Sequence, residues 1–260
     1  MKISIAVAAH KPYRMPEGDC YLPVHVGCEG KDSIGFTGDN TGDNISVKNA
    51  TFCELTGLYW MWKNSDADFI GLVHYRRHFA GKNKKKGDGT PFSRVIDEAQ
   101  LREILESTDI IVPTKRRYYI ETLYSHYAHT HYAEHLDLTR EIISRQCPDY
   151  LPAFDEVMKR TYGHMFNMFV MSRDKCNAYC EWLFAILNEL EEQVDITDYS
   201  AFQARLFGRV SELLLDVFLE RNGYNYKEIP VISMEKLKWG KKIKSFISAR
   251  VFGKKYEGSF

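Results

Sequence analysis

Residues 66–79 read DADFIGLVHYRRHF. An acidic pair, Asp66 and Asp68, precedes an apolar run, Phe69–Val73, and a cationic cluster, His74, Arg76, Arg77 and His78, follows it. The run is short, apolar and bounded by turn chemistry, as expected of a strand buried on both faces. Its direction decides between the two charged ends. In open α/β sheets ligands sit outside the carboxyl ends of the strands. Asp66-Ala67-Asp68 resembles a metal-holding Asp-x-Asp, yet it enters the strand, so it reads as turn chemistry. His74-Tyr75-Arg76-Arg77 leaves the strand at the end where a ligand binds. Two guanidinium groups can hold a diphosphate through forked, charge-assisted hydrogen bonds, replacing a metal. Adjacent residues on an extended segment point to opposite sides, so at most one of the two arginines is expected to face a ligand, the alternative being that both pair with surface carboxylates.

The rest of the chain fits an α/β domain. It has 260 residues, 44% hydrophobic and 27% charged, with a formal net charge of +0. Such a balance gives no electrostatic argument for nucleic acid. No repeat, low-complexity tract or apolar run of bilayer-spanning length is present. The start, MKISIAVAAHKPY, reads as a first buried strand over Lys2–Ala9 rather than as a signal peptide. Six cysteines are scattered without a C-x-x-C pair, and Cys176 and Cys180 lie one helical turn apart, which favours reduced thiols and a cytoplasmic protein.

Residues 32–49 form a polar loop, 50–64 a helix, 97–107 a helix and 109–113 a strand. This alternation predicts a mainly parallel sheet. Lys82–Gly89 is a basic loop. The second half is more helical, with helices expected over 122–146, 150–161, 174–193 and 199–221 and strands over 164–172 and 226–232. Residues 1–234 are expected to form a single domain. The segment 235–260 carries eight Lys and Arg against two Glu, interleaved with Leu237, Trp239, Ile243, Phe246, Ile247, Val251 and Phe252. It predicts a basic amphipathic helix resting on an anionic membrane, the alternative being a solvated helix packed on its own domain.

In a parallel sheet several loops converge on one edge. His10 and Lys11 leave the first strand; Asp39, Asn40, Asn44, Ser46 and Asn49 lie in the polar loop; His74, Arg76 and Arg77 leave a later strand. Carboxylates, amides and cations together suit a nucleotide, while neither a Walker pattern nor G-x-G-x-x-G is present. Taken singly, the Asn and Asp residues are explained by turns. His126, His129, His131 and His135 form H-x-x-H-x-H-x-x-x-H, in which His131 and His135 share a helix face and could hold a metal, but no H-E-x-x-H signature accompanies them. Candidates for a general base in the second half are Asp195, Asp198, Glu212 and His164, each also explicable as a surface or capping group.

The blocks DNTGDNISVKNATFCELTGLYWMWKN and ADFIGLVHYRRHF, with AVAAHKPY, YGHMFNMFVMSRDKCNAYCEWLF and FQARLFGRVSELLLDVFLERN, resemble a family of bacterial capsule and exopolysaccharide glycosyltransferases, long catalogued as a domain of unknown function. A related domain occurs in a bifunctional O-antigen polymerase, associated there with galactofuranosyl transfer. The resemblance implies a GT-A-like fold, a Rossmann-type sheet with a helical acceptor-side region, in which HYRR stands where other families carry Asp-x-Asp. Carried over by position, it implies donor contacts from His10, Lys11, Asp39, Asn40, Asn44, Ser46, Asn49, Glu54, Thr56, His74, Arg76 and Arg77. It also implies acceptor-side roles for His131, His164 and Asn167, and Asp198 or Glu212 as base. Val47 departs from the Glu expected there. The function so implied is transfer of a hexose, galactose or galactofuranose, from a nucleotide diphosphate sugar, UDP-linked, to a lipid-linked or growing glycan. It would need no metal and would act at the cytoplasmic face of the membrane, without nucleic acid as a partner. Two other readings compete: a metal-dependent hydrolase built on the His cluster, and a non-catalytic scaffold docked on membranes.

Overall fold

The computed structural model describes residues 1–82 and 89–235. The tail beyond Glu235 and the interior of the 82–89 loop lie outside the described residues. Strand β1 (Ile3–Ala9) is followed by β2 (Tyr21–His25), a short β3 (Thr37–Gly38), helices α1 (Asn49–Phe52) and α2 (Leu55–Asn64), and β4 (Phe69–His74). After β5 (Arg77–Phe79) come α3 (Glu98–Leu105), β6 (Ile110–Pro113) and the two-residue β7 (Arg116–Arg117). Three helices follow, α4 (Leu123–Thr130), α5 (Glu134–Gln146) and α6 (Leu151–Lys159). The remaining elements are β8 (Tyr162–Gly163), β9 (Phe169–Ser172), α7 (Arg173–Gln193), α8 (Leu206–Asn222), β10 (Lys227–Ile229) and β11 (Val231–Ser233).

One sheet of nine strands takes the order β10-β6-β9-β4-β1-β2-β3, with β5 on β4 and β11 on β5. β1 is parallel to both β2 and β4, and β6 to β10. β9 runs against β4 on one side and β6 on the other. The expected mainly parallel sheet is therefore present with a reversed strand at its centre. That reversal has a positional result: the loop leading into β9 emerges at the same edge as the carboxyl ends of β1, β4 and β6.

Strand β4 is the middle of the core, and the alternation of its side chains explains its unbroken apolar run. Ile70 and Leu72 face a layer built from α2 and α4–α8, while Phe69 and Val73 face a smaller layer with Leu101 and Leu105 of α3. Both faces being covered, the run from Phe69 to Val73 is apolar throughout, and the first polar side chain, His74, comes where the strand leaves the core. Gly71 sits where neighbouring strands close in: a Cβ there would stand 2.9 Å from Ile5 Cγ1 and 3.0 Å from the Phe169 carbonyl oxygen. Helix α3 starts where Asp97 accepts a hydrogen bond from the Gln100 amide at 2.9 Å. Helix α8 ends at Gly223, whose φ of 59° is the left-handed conformation glycine adopts freely.

Several expected elements are shorter or divided. The helix expected over 122–146 is two, broken at His131–Ala133 without Gly or Pro. Tertiary contacts make the break: His131 turns to an extended φ of −131° and places its ring against Gln203 and Arg209. The strand expected from His164 begins only at Phe169. Helix α8 starts at Leu206 rather than Tyr199, whose ring stacks on Tyr132 at 4.8 Å. Strand β2 was not expected, because Pro23 interrupts its apolar pattern. All six cysteines are free; Cys176 and Cys180 are buried on one face of α7 with their sulfurs 3.9 Å apart.

Candidate functional site

The carboxyl edge of the sheet gathers arginines, a lysine and two histidines around two carboxylates. β1 delivers His10 and Lys11, β4 delivers His74, Arg76 and Arg77, and the segment after β6 delivers Arg116. From the other side the start of α8 contributes Arg205, Arg209 and Glu212 on one face, at helical spacing of four and three. Glu54 stands at the α1–α2 junction, where Cys53 is held at a φ of 54°.

Around Glu54 the geometry is tight. Asn167 donates from Nδ2 to Glu54 Oε1 at 2.6 Å and to the Gly208 carbonyl at 2.8 Å, and its own Oδ1 accepts from Ser211 Oγ at 2.7 Å. His74 Nε2 donates to the Phe166 carbonyl at 2.9 Å and lies 3.6 Å from Glu54. Burial keeps His74 below the usual histidine range, with Glu54 pulling the other way. Phe166 and Asn167 have φ values of 81° and 51°, strained for non-glycine residues. Arg77 lies with its guanidinium 4.6 Å over the Phe166 ring. Such strain is sustained because three elements fix this loop at once.

Glu212 is the second carboxylate. Burial and then the charge of Glu54 push its pKa up to about 7, against the Phe166 amide and the charges of Arg77 and Arg116. It lines a cavity of about 180 Å³ together with Arg116, Tyr118, His126, Tyr127, His131 and Arg209. His131 Nδ1 is 2.9 Å from Gln203 Oε1 and 3.0 Å from Arg209 Nη1, and burial with the Arg209 charge drives its pKa down to about 3. A carboxyl that titrates near neutrality, lining a polar cavity beside fixed cations, suits a general base.

The Asp66–Asp68 pair lies at the opposite edge. Asp66 pairs with Lys2, Asp68 accepts from the Lys2 amide at 2.6 Å, and both are exposed. Of the expected donor residues, Asp39, Ser46, Asn49 and Thr56 turn out to bind one another. Asp39, fully buried, accepts from the amides of Gly27 (2.8 Å) and Cys28 (3.2 Å), from Ser46 Oγ, and from Thr56 Oγ1 at 2.6 Å. Asn49 donates to Thr56 Oγ1 at 3.2 Å, and Asn44 closes a turn by accepting from the Ser46 amide at 3.1 Å. These residues shape the loop, while Asn40 on its rim accepts from Cys28 Sγ at 3.0 Å.

On the acceptor side, His131 reaches the cavity but His164 and Asn167 do not take the expected part. His164 is fully buried, bound to Asp216 through Nδ1 and 3.4 Å from Glu228 at Nε2. Asn167 is saturated by Glu54 and α8. Asp198 is exposed on the turn before α8, whereas Glu212 sits within the cluster. His78, counted by sequence among the cations, is buried with neither ring nitrogen hydrogen-bonded, and burial lowers its pKa to about 4. The four histidines of the H-x-x-H-x-H-x-x-x-H pattern part company: His126 and His129 both bind Glu121, at 2.8 and 2.9 Å, and His135 lies between Tyr127 and Tyr199. Among the described residues no group of three or more His, Cys, Asp or Glu is arranged to hold a metal ion.

The family described as "Domain of unknown function (DUF4422)" matches residues 4–223. The chain belongs to this family. Among solved structures this DUF4422 chain is similar to the apo structure of WbbM, a bifunctional glycosyltransferase, with 30% identity and a TM-score of 0.83. The match covers 91% of this chain and 46% of that one, so the DUF4422 chain spans about half the length of WbbM. The GT-A-like fold expected from the sequence is thus the fold found. Among curated proteins there is no match.

Proposed function

We propose that the protein is a glycosyltransferase that moves a hexose from a nucleotide diphosphate sugar, UDP-linked, to a glycan acceptor. The observation that carries this is Glu212, a half-buried carboxyl poised near neutrality between a cationic edge and a polar cavity. The similarity to a glycosyltransferase over 91% of the chain supports it. In this reading Glu212 takes the proton of the attacking acceptor hydroxyl in the cavity. The acceptor oxygen bonds to the anomeric carbon as the sugar–phosphate bond breaks. Lys11, Arg76, Arg77 and Arg205 take up the charge left on the diphosphate. In this reading the same cations do the work of a divalent metal, and the Asp66–Asp68 pair, at the opposite edge, takes no part. The acceptor is a lipid-linked or growing glycan of capsule, exopolysaccharide or O-antigen synthesis, met at the cytoplasmic face of the membrane. No helix among the described residues is long and apolar enough to cross a membrane, so the contact proposed is peripheral.

Thermal-shift titration with UDP, GDP, CMP and dTDP, each with EDTA or manganese, tests this. A ligand that binds only the folded state raises its melting temperature. Stabilisation by UDP, unchanged by EDTA, is expected. Stabilisation that requires manganese would overturn metal independence. No shift with any nucleotide would favour the membrane-docked scaffold.

A further inference from the structure

Between β7 and α4 the chain reads Arg117-Tyr118-Tyr119-Ile120-Glu121. Tyr119 is 81% exposed and Ile120 63%, unusual for side chains of this size. The backbone makes the exposure deliberate. The Ile120 amide donates to the Tyr118 carbonyl at 2.7 Å, closing a three-residue turn whose central residue, Tyr119, has a φ of 62°. A γ-turn of this hand is rare and strained. Burial of Tyr119 and Ile120 does not offset that strain, yet both flanks are pinned. The Tyr118 amide donates to the Thr161 carbonyl at 2.8 Å, and Thr122 and Ser125 form a reciprocal capping box.

Within the turn itself the exposed charge is cationic, while the acids nearby, Glu156, Glu220 and Glu228, are paired with Arg160 and Lys115. Arg117 is exposed, its guanidinium 5.6 Å over the Tyr162 ring, and Arg116 precedes it. The loop's one acid, Glu121, is 5% exposed and bound by His126 and His129. Outward, the loop therefore shows an aromatic ring, an aliphatic side chain and a cation. That composition matches the interface of an anionic bilayer, where amphipathic rings and basic groups sit at headgroup level. Two further facts place it usefully. Arg116 and Tyr118, its neighbours, line the cavity that holds Glu212. Glu235, the last described residue before the Lys-rich stretch, pairs with Arg76 at 3.6 Å on the same carboxyl edge.

We infer that the Tyr119–Ile120 turn docks on the anionic phospholipid surface and brings the cavity mouth to headgroup level. This rests on the transferase reading only for its purpose, which is to admit an acceptor without lifting it from the bilayer. The full chain tests it, carrying Cys147→Ser, which removes the one thiol that is not buried, and Ile120→Cys labelled with an environment-sensitive fluorophore. With vesicles of equimolar phosphatidylcholine and phosphatidylglycerol the emission is expected to shift to the blue; with phosphatidylcholine alone it is not. Arg117→Glu in the labelled chain is expected to weaken the vesicle response by about fivefold or more. An unshifted label on protein that still sediments with anionic vesicles would overturn the inference and leave the Lys-rich stretch as the anchor. An equal response to neutral vesicles would overturn the role of charge. Failure of nucleotide binding in the thermal-shift titration would sink the transferase reading alone, since the label does not depend on it.

Discussion

At the scale of single residues, Glu212 and Arg77 carry the sharpest expectations. Glu212→Gln keeps the shape and removes the base, so kcat is expected to fall by about 10²–10⁴-fold with donor binding retained. Retained kcat would exclude Glu212. The same substitution tests its ionisation through stability. The folded state holds the Glu212 proton more tightly than the unfolded chain, so ionising it costs stability as pH rises from the ordinary carboxylate range through about 7. Glu212→Gln is therefore expected to melt higher than the parent at pH 8, a difference that shrinks on acidification. Arg77 is half-buried beside Glu54 and Glu212, whereas Arg76 is 40% exposed and pairs with Glu235. Arg77→Ala is expected to weaken UDP binding by about 10–100-fold, and Arg76→Ala by less; calorimetric titration decides between them. Arg77 was legible in the sequence because it follows a strand. Arg205 and Arg209 were not, since arginines on a helix ordinarily read as a solvated face. Their spacing with Glu212 put all three on one face and was the signal available.

At the scale of elements, position outlasts composition. The direction of β4 alone sorted the acidic pair from the cationic one, and the loop between β2 and α1 was recognisable from its Gly, Asp and Asn. What the loop does was harder to read, because Asp39 looks alike as a ligand contact and as the hub of a buried network. Asp39→Ala removes the acceptor for two amides and two hydroxyls, leaving them desolvated, and is expected to lower the melting temperature and abolish donor binding together. If binding survived in a folded Asp39→Ala variant, the loop would have no part in the site. In the centre of the sheet, Gly71→Ala is expected to cost about 1–3 kcal/mol, measured by denaturant unfolding, because its neighbours are the Ile5 side chain and the Phe169 carbonyl. The α4–α5 break escaped sequence reading for a different reason: it is made by contacts with residues some 70 positions away (72 to Gln203 and 78 to Arg209).

Over the whole molecule, a net charge of +0 conceals an uneven field. Cations collect at the carboxyl edge while Asp66 and Asp68 sit at the other. UDP affinity is accordingly expected to weaken as salt rises, and a flat salt dependence would count against the cationic cradle. Acid stability belongs to this scale too. His78 titrates near 4 in the fold and near 6.5 when unfolded, so the unfolded chain takes up the proton first. The stability His78 leaves intact at neutral pH is lost as pH falls from about 6.5 to about 4, on the order of 3 kcal/mol at most. His78→Leu, which removes two unpartnered nitrogens, is expected to flatten that acid limb of melting temperature against pH. An unchanged limb would assign the loss elsewhere.

The short pairing of β7 with β8 has a wider consequence. Arg116 faces Gly163 and Arg117 faces Tyr162, so the polypeptide that sets out after β6 to build α4, α5 and α6 returns to within a strand's width of its departure. An excursion whose two ends meet is one that descent can lengthen, trim or replace without re-threading the sheet. The stretch between Tyr118 and Thr161 can therefore change in length without disturbing the sheet's threading, constrained chiefly where it packs on α7 and α8.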